Sequence, residues 1–200
     1  MTIHFISGPA RVGKSHLYRS LHKQFEGDCV ELDPLLTSLI NYLKPPAGHP
    51  ILNPFTIEGQ EFDDWIQGII QKDEAWWPLL QGWVEEHHIY GADFLAVGIV
   101  WPHLLQTLRV PHRAVFLVDT DEAHIERAVA IARQGGTLNN WMAEWPEEKI
   151  RQWGDYNLRR ARFFKDEAEK YGYPVFDVGD HGYELSQMLA AEALLGQRVS

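Results

Sequence analysis

The chain holds a single cysteine, Cys29, among 200 residues. One thiol excludes an intramolecular disulfide and a cysteine-based zinc site. Its apolar setting, "DCVEL", predicts a small core residue of a strand. Positive charge is also scarce: 18 Lys and Arg stand against 28 Asp and Glu, a formal net charge of −10. That balance argues against long nucleic acid and offers no attraction to an anionic membrane surface. A phosphate-bearing ligand would need a few concentrated cations working against the overall field. No apolar run is long enough to span a bilayer, and the opening "MTIHFISG" is too short for a signal peptide. A reducing cytoplasm is the expected setting. Three nucleotide signatures are missing as well. The strings N-K-x-D and D-x-x-G of guanine-specific GTPases do not occur, nor does the dinucleotide-binding G-x-G-x-x-G.

What is present begins near the N-terminus. "GPARVGKS", Gly8 to Ser15, fits G-x-x-x-x-G-K-[ST], a loop that wraps phosphate groups. The β-branched and aromatic residues 2–7 before it predict a strand. A helix is predicted after Gly13, with Leu17, Leu21 and Phe25 on one face and Gly27 as its left-handed end. Gly8 and Gly13 permit backbone that a Cβ hinders, so the loop of Gly8, Pro9, Ala10, Arg11, Val12 and Gly13 can turn successive N–H groups toward one anion. (Proline itself contributes none.) Lys14 can reach β- and γ-phosphates, the Ser15 hydroxyl can ligate Mg²⁺, and His16 continues the first turn of the helix.

The rest of the chain alternates strand and helix. "CVEL" predicts a strand ending at Asp33-Pro34, followed by a short helix over 35–43. The proline-rich "KPPAGHPILNPF" marks a loop or a change of subdomain. Residues 61–88 predict two helices separated near Pro78. "ADFLAVGIV" and "RAVFLVD" (113–119) predict buried parallel strands. After the second, Asp119 or Thr120 can cap a helix, with Glu122 placed for a capping box, and Gly135-Gly136 ends it. Pro146 opens a long helix that Gly172 stops. "YPVFDVG" predicts the last strand, and 183–195 a closing helix. This order predicts an α/β fold of one domain over 1–200, about five parallel strands with helices on both faces. Ligands on such sheets bind beyond the carboxyl ends of the strands.

Four stretches carry a resemblance: "ISGPARVGKSHLYRSL", "VELDPLL", "VFLVDTDEAHIERAVAIAR" and "DYNLRRARFFKDEAEKYGYPVFDVG". Together they resemble the P-loop small-molecule kinases, the group that includes adenylate, gluconate and shikimate kinases and the zeta-toxin-like and 2-phosphoglycerate-kinase-like proteins. The resemblance implies a P-loop NTPase three-layer fold and Mg²⁺-dependent transfer from ATP to the hydroxyl or phosphate of a small molecule. It implies a helical insertion over the acceptor, at 44–90, and a lid at 135–150. It places Asp33 where an acid orients the acceptor hydroxyl or holds a magnesium-bound water; the alternative is a helix N-cap before Pro34. Arg127 and Arg133 fall before the lid. Arg159, Arg160 and Arg162 fall beyond it, with 159 and 162 sharing a helix face that 160 does not. Arg127, Arg133 and Arg159 are the candidates for stabilising transfer, against the alternative of solvated surface arginines.

One position departs from the family. Many relatives carry an acid near the tip of strand three, where this chain has Val97, while Asp93 lies at the wrong end of that strand. A nucleotide-binding regulator without phosphotransfer, or a zeta-type toxin kinase, are the alternatives to a metabolic kinase. Five tryptophans, Trp65, Trp76, Trp77, Trp83 and Trp101, crowd the middle of the chain. Most are expected to pack helices onto the sheet, with Trp101 and His103 turned toward the cleft. His87 and His88 are neighbours whose side chains point apart on a helix, so they suggest no metal pair.

Overall fold

The structure is a computed structural model that describes residues 2–52, 57–91, 93–134 and 142–196. Five strands form one parallel sheet: β1 (Ile3–Ser7), β2 (Asp28–Glu31), β3 (Phe94–Val97), β4 (His112–Val118) and β5 (Val175–Asp177). Their order is β2-β3-β1-β4-β5, which puts β1 and its following loop at the centre. Along β4, Ala114, Phe116 and Val118 enter one apolar layer, and Val115 and Leu117 enter the other. Both faces are dry, which is why the strand reads as a continuous apolar run.

One layer is roofed by α1 (Lys14–His22) and α8 (Tyr183–Leu195), through Leu17, Leu21, Ala190 and Leu194. The other gathers α2 (Leu32–Leu43), α3 (Phe62–Tyr90), α4 (Pro102–Leu105), α5 (Ala123–Arg133) and α6 (Glu147–Lys170). A short α7 (Val178–His181) follows β5, capped by the Asp177 carboxylate, which accepts the Gly179 N–H. This is the three-layer α/β architecture that the strand and helix order predicts. No helix among the described residues is long and apolar enough to cross a membrane.

Several local expectations fail for physical reasons. Residues 62–90 form one helix that runs through Pro78. An interior proline costs about 3 kcal/mol. Burial of one large apolar side chain contributes about 1.5–3 kcal/mol. Trp76, Trp77, Leu80 and Val84 are all buried around the proline, so packing wins. Helix α1 ends at His22, before Gly27. Gly27 serves a close approach instead: a Cβ there would lie 2.3 Å from the Asp93 carbonyl oxygen. The second strand stops at Glu31, and α2 starts at Leu32 with Glu31 in the cap position. Asp33 therefore sits inside the first helical turn, neither at the strand tip nor as the N-cap. Pro34 is tolerated there because first-turn N–H groups lack helical partners anyway. The capping box at Asp119 does not form, since Glu122 is the cap residue and Asp119 turns to other partners. The expected helix end at Gly135-Gly136 and part of the expected lid lie outside the described residues. Of the expected 44–90 insertion, the structure describes a 3₁₀ turn (Pro50–Leu52) and α3.

Candidate functional site

At the tip of β1 the chain must turn under β4. Gly8 has φ +131°, and a Cβ there would lie 1.9 Å from the Leu117 carbonyl oxygen, so only glycine fits. Gly13, at φ +94°, would press a Cβ to within 2.5 Å of Gln187 Nε2 on α8. Between them Arg11 holds a left-handed φ of +61°. That conformation costs a residue with a side chain about 1–3 kcal/mol, and the loop must supply it. Val12 is buried and anchors the loop in the core under α1. Helix α1 then starts at Lys14 with no acidic residue in its first turn, leaving its positive end uncompensated.

A cleft of about 550 Å³ opens over this loop, at the carboxyl ends of β1, β2 and β3. Ala10, Arg11, Gly13, Lys14, Ser15 and His16 line one side. Glu31 and Asp33 line another, beside Val97, Gly98 and Ile99 from the end of β3. Arg19, Ile131 and Tyr183 complete it, with the Tyr183 ring 5.5 Å from that of His16. The Lys14 ammonium folds back to donate to the Pro9 carbonyl. Its crowded surroundings push its pKa down to about 8; Asp33 opposes that shift and Arg160 adds to it.

The structure thus gathers Lys14, Ser15, Asp33 and the loop backbone. It does not bring the three candidate arginines there; none lines the cleft. Arg127 is taken up by Asp119, at 2.8 and 2.7 Å from its two oxygens, and by Asp121 at 3.2 Å. Arg133 donates to the carbonyls of Ala143 and Trp145, each at 3.3 Å. Arg159 lies outward, its guanidinium 3.8 Å above the Phe62 ring and 3.9 Å from Asp63.

Arg160 does not line the cleft either, but it is the arginine that points into the core, within electrostatic range of Lys14 and Asp33. It is only 4% exposed and sits among the rings of Trp101 (5.3 Å), Phe164 (5.6 Å) and Trp65 (6.0 Å). Its Nε and Nη2 are buried with no hydrogen-bond acceptor among the described residues. Burial lowers its pKa, and the charges of Asp73 and Asp33 oppose that shift. Asp73 is buried too and accepts Trp101 Nε1–H at 2.6 Å; burial raises its carboxyl above the ordinary value. This corrects the expectation for Trp101 and His103. Trp101 is fully buried against Asp73 and Phe164, and His103 turns to Glu167 at 2.9 Å. The sequence carries a signal for Arg160. It lies three residues after Asn157 and four before Phe164, within the buried stripe of α6.

Glu31 also escaped the sequence reading, because its value depends on strand order. The tip of β3 offers Val97, but β2 lies beside β3 and brings Glu31 level with it. Ser15, Glu31 and Asp33 give a hydroxyl and two carboxylates on one cleft, hard oxygen donors that suit Mg²⁺ held partly by water and phosphate. Among the described residues no cluster of three His, Cys, Asp or Glu is arranged to hold a metal alone.

No protein-family model matches the chain, and no curated protein matches it in sequence. Solved structures do match in fold. A shikimate kinase from Bacteroides thetaiotaomicron superposes with a TM-score of 0.54 at 12% identity, covering 98% of this chain and 97% of that one. A protein from Eubacterium ventriosum described as uncharacterized superposes with a TM-score of 0.51 at 12% identity, covering 98% and 99%. The chain has a P-loop small-molecule-kinase-like fold.

Proposed function

We propose that the chain is a phosphotransferase that moves the γ-phosphoryl group of ATP to a small-molecule acceptor, at a hydroxyl or a phosphate. One observation carries the reading: Lys14 and Ser15 share a cleft with two carboxylates, Glu31 and Asp33, and buried Arg160 stands within electrostatic range of Lys14 and Asp33. A protein that only binds nucleotide needs the loop. It would use the carboxylates only to hold magnesium, and it has no need of a buried guanidinium with two donors lacking a hydrogen-bond acceptor.

The roles follow from the chemistry. The loop N–H groups and Lys14 bind the β- and γ-phosphates. Ser15, with Glu31 and Asp33 acting through water, would hold magnesium, which when bound neutralises charge on those phosphates. Asp33 accepts the proton of an acceptor hydroxyl as its oxygen attacks the γ-phosphorus; the bond from that phosphorus to the bridging oxygen breaks, and ADP leaves. Arg160 offers two donors to negative charge, on the transferred group or on an anionic acceptor. Tyr183 presents a ring beside Gly13 and His16 on which a nucleobase could stack. Helix α3 would cover the acceptor, keeping water from the γ-phosphate.

Val97 favours a second reading, a nucleotide-binding regulator without transfer. The deciding experiment adds Mg²⁺ and ATP to the purified protein with a panel of hydroxy acids, sugars, nucleosides and nucleotide-sugars, and follows ADP. Acceptor-dependent ADP that disappears in Asp33→Asn supports the kinase, and phosphorylation of a nucleotide-sugar would assign it to the zeta type. ATP binding with no acceptor-dependent turnover supports the regulator. Absence of ATP binding ends both.

A further inference from the structure

Asn157 lies on the buried face of α6, 2% exposed. Its Nδ2 stands 2.9 Å from the Ala10 carbonyl oxygen and 2.9 Å from His124 Nε2. A carbonyl only accepts, so the amide nitrogen faces both partners and uses both hydrogens. His124 Nε2 must then be bare. The ring proton sits on Nδ1 and is donated to Asp119 at 3.0 Å. Asp119 is held in turn by Arg127. Burial pushes the Asp119 carboxyl up, but its bonds from His124 and Arg127 outweigh that and hold it below the ordinary value. Asp119, His124 and Asn157 are all 4% exposed or less, so water does not compete for these bonds.

The relay ends on the phosphate loop. In a trans peptide the carbonyl and the following N–H point in opposite directions. A bond that draws the Ala10 carbonyl toward α6 therefore turns the Arg11 N–H the other way. Arg11 is the residue in the costly left-handed conformation, so this peptide plane has most need of an outside hold. Gln187 acts alike at Gly13, its Nε2 donating to that carbonyl at 3.3 Å.

We propose that Asn157 is a positioning residue that sets the Ala10–Arg11 peptide plane, and through it the anion affinity of the loop, with His124 and Asp119 fixing the direction of its amide. This rests on the reading of the loop as a nucleotide-phosphate site. Asn157→Asp keeps the shape but sets a carboxylate against the Ala10 carbonyl. Calorimetry with magnesium and the non-hydrolysable analogue adenylyl imidodiphosphate is expected to show Kd raised about 10-fold or more. Where turnover is measured, KM for ATP rises more than kcat falls. A folded Asn157→Asp protein, judged by thermal melting, with wild-type affinity overturns the proposal. Failure of the wild type to bind the analogue removes the parent reading and this proposal with it. Should the variant not fold, the wild type decides by long-range ¹H–¹⁵N spectra. The expected result is His124 protonated at Nδ1 only, with an Arg11 amide signal that moves on adding the analogue. A proton on Nε2, or an unmoved Arg11 amide, overturns the proposal.

Discussion

Glu31 and Val97 stand opposite each other in the ladder between β2 and β3, and both line the cleft that holds Ser15. The acid missing from the tip of β3 is thus present one strand away. If Glu31 supports magnesium there, Glu31→Gln raises the Mg²⁺ concentration for half-maximal turnover by about 10-fold or more. Asp33→Asn should lower kcat by about 100-fold or more, because a positioned base is lost. A magnesium titration of ADP formation checks both. Unchanged magnesium dependence in Glu31→Gln would remove Glu31 from the site.

Lys14 supplies a pH dependence. Burial lowers its pKa to about 8 without ligand. Phosphate oxygens favour the ammonium, so the pKa rises in the complex and binding takes up a proton above that pH. Affinity for the magnesium–nucleotide complex is therefore full below the free-protein pKa and falls as pH passes it, to about 10-fold weaker at pH 9 than at pH 7. Calorimetry in two buffers of different ionisation enthalpy measures the proton directly. Constant affinity across that range would contradict the assignment.

Much of the fold and the core of the site were legible because local backbone dictates residue type. Gly8 must be glycine under the Leu117 carbonyl, and a continuous apolar run such as β4 means a strand covered on both faces. What escaped depends on packing between distant segments. Glu31 matters only because β2 neighbours β3. Pro78 breaks no helix because buried tryptophans flank it. The choice between Arg159 and Arg160 turns on which face of α6 meets Trp65 and Trp101. The buried stripe through Asn157 and Phe164 points to Arg160, whereas the family resemblance places Arg159, Arg160 and Arg162 alike beyond the lid.

Arg160 tests whether a costly side chain is kept for function. A buried guanidinium with unfilled donors destabilises the fold, and an apolar side chain of similar volume removes that cost. Arg160→Met removes that cost together with the cation that faces buried Asp73, so thermal melting is measured first to establish that the variant folds. Its turnover with an acceptor should fall by about 100-fold or more, the cost of losing a charge-stabilising donor. Arg160→Lys keeps charge but lacks the planar fork, and recovers little. Arg159→Ala should stay within about threefold of wild type, since that side chain rests on Phe62 at the surface. An active Arg160→Met protein would make this arginine purely structural.

His103 carries the pH dependence of stability between the helices around the site. Its Nδ1 lies 2.9 Å from Glu167 on α6 and its Nε2 3.6 Å from Glu74 on α3. The bond to Glu167 raises its pKa above the ordinary value; burial opposes that, and the charges of Glu167 and Glu74 add to the rise. A raised pKa in the folded state means that the folded protein binds this proton more tightly than the unfolded chain. The stabilisation is fully present below the unfolded value of about 6.5 and is lost as pH rises through the folded pKa. Wild type should exceed His103→Gln by roughly 0.5–1 kcal/mol at about pH 6, discounted for the part-exposed geometry. In a chain of this size that corresponds to roughly 1–4 °C in melting temperature. The gap should narrow toward about pH 8.5 as the imidazole loses its proton. Thermal melts of both proteins across that range measure it. A gap that stays constant or widens with pH would mean that His103 contributes by packing alone, without a charge-assisted bond to Glu167.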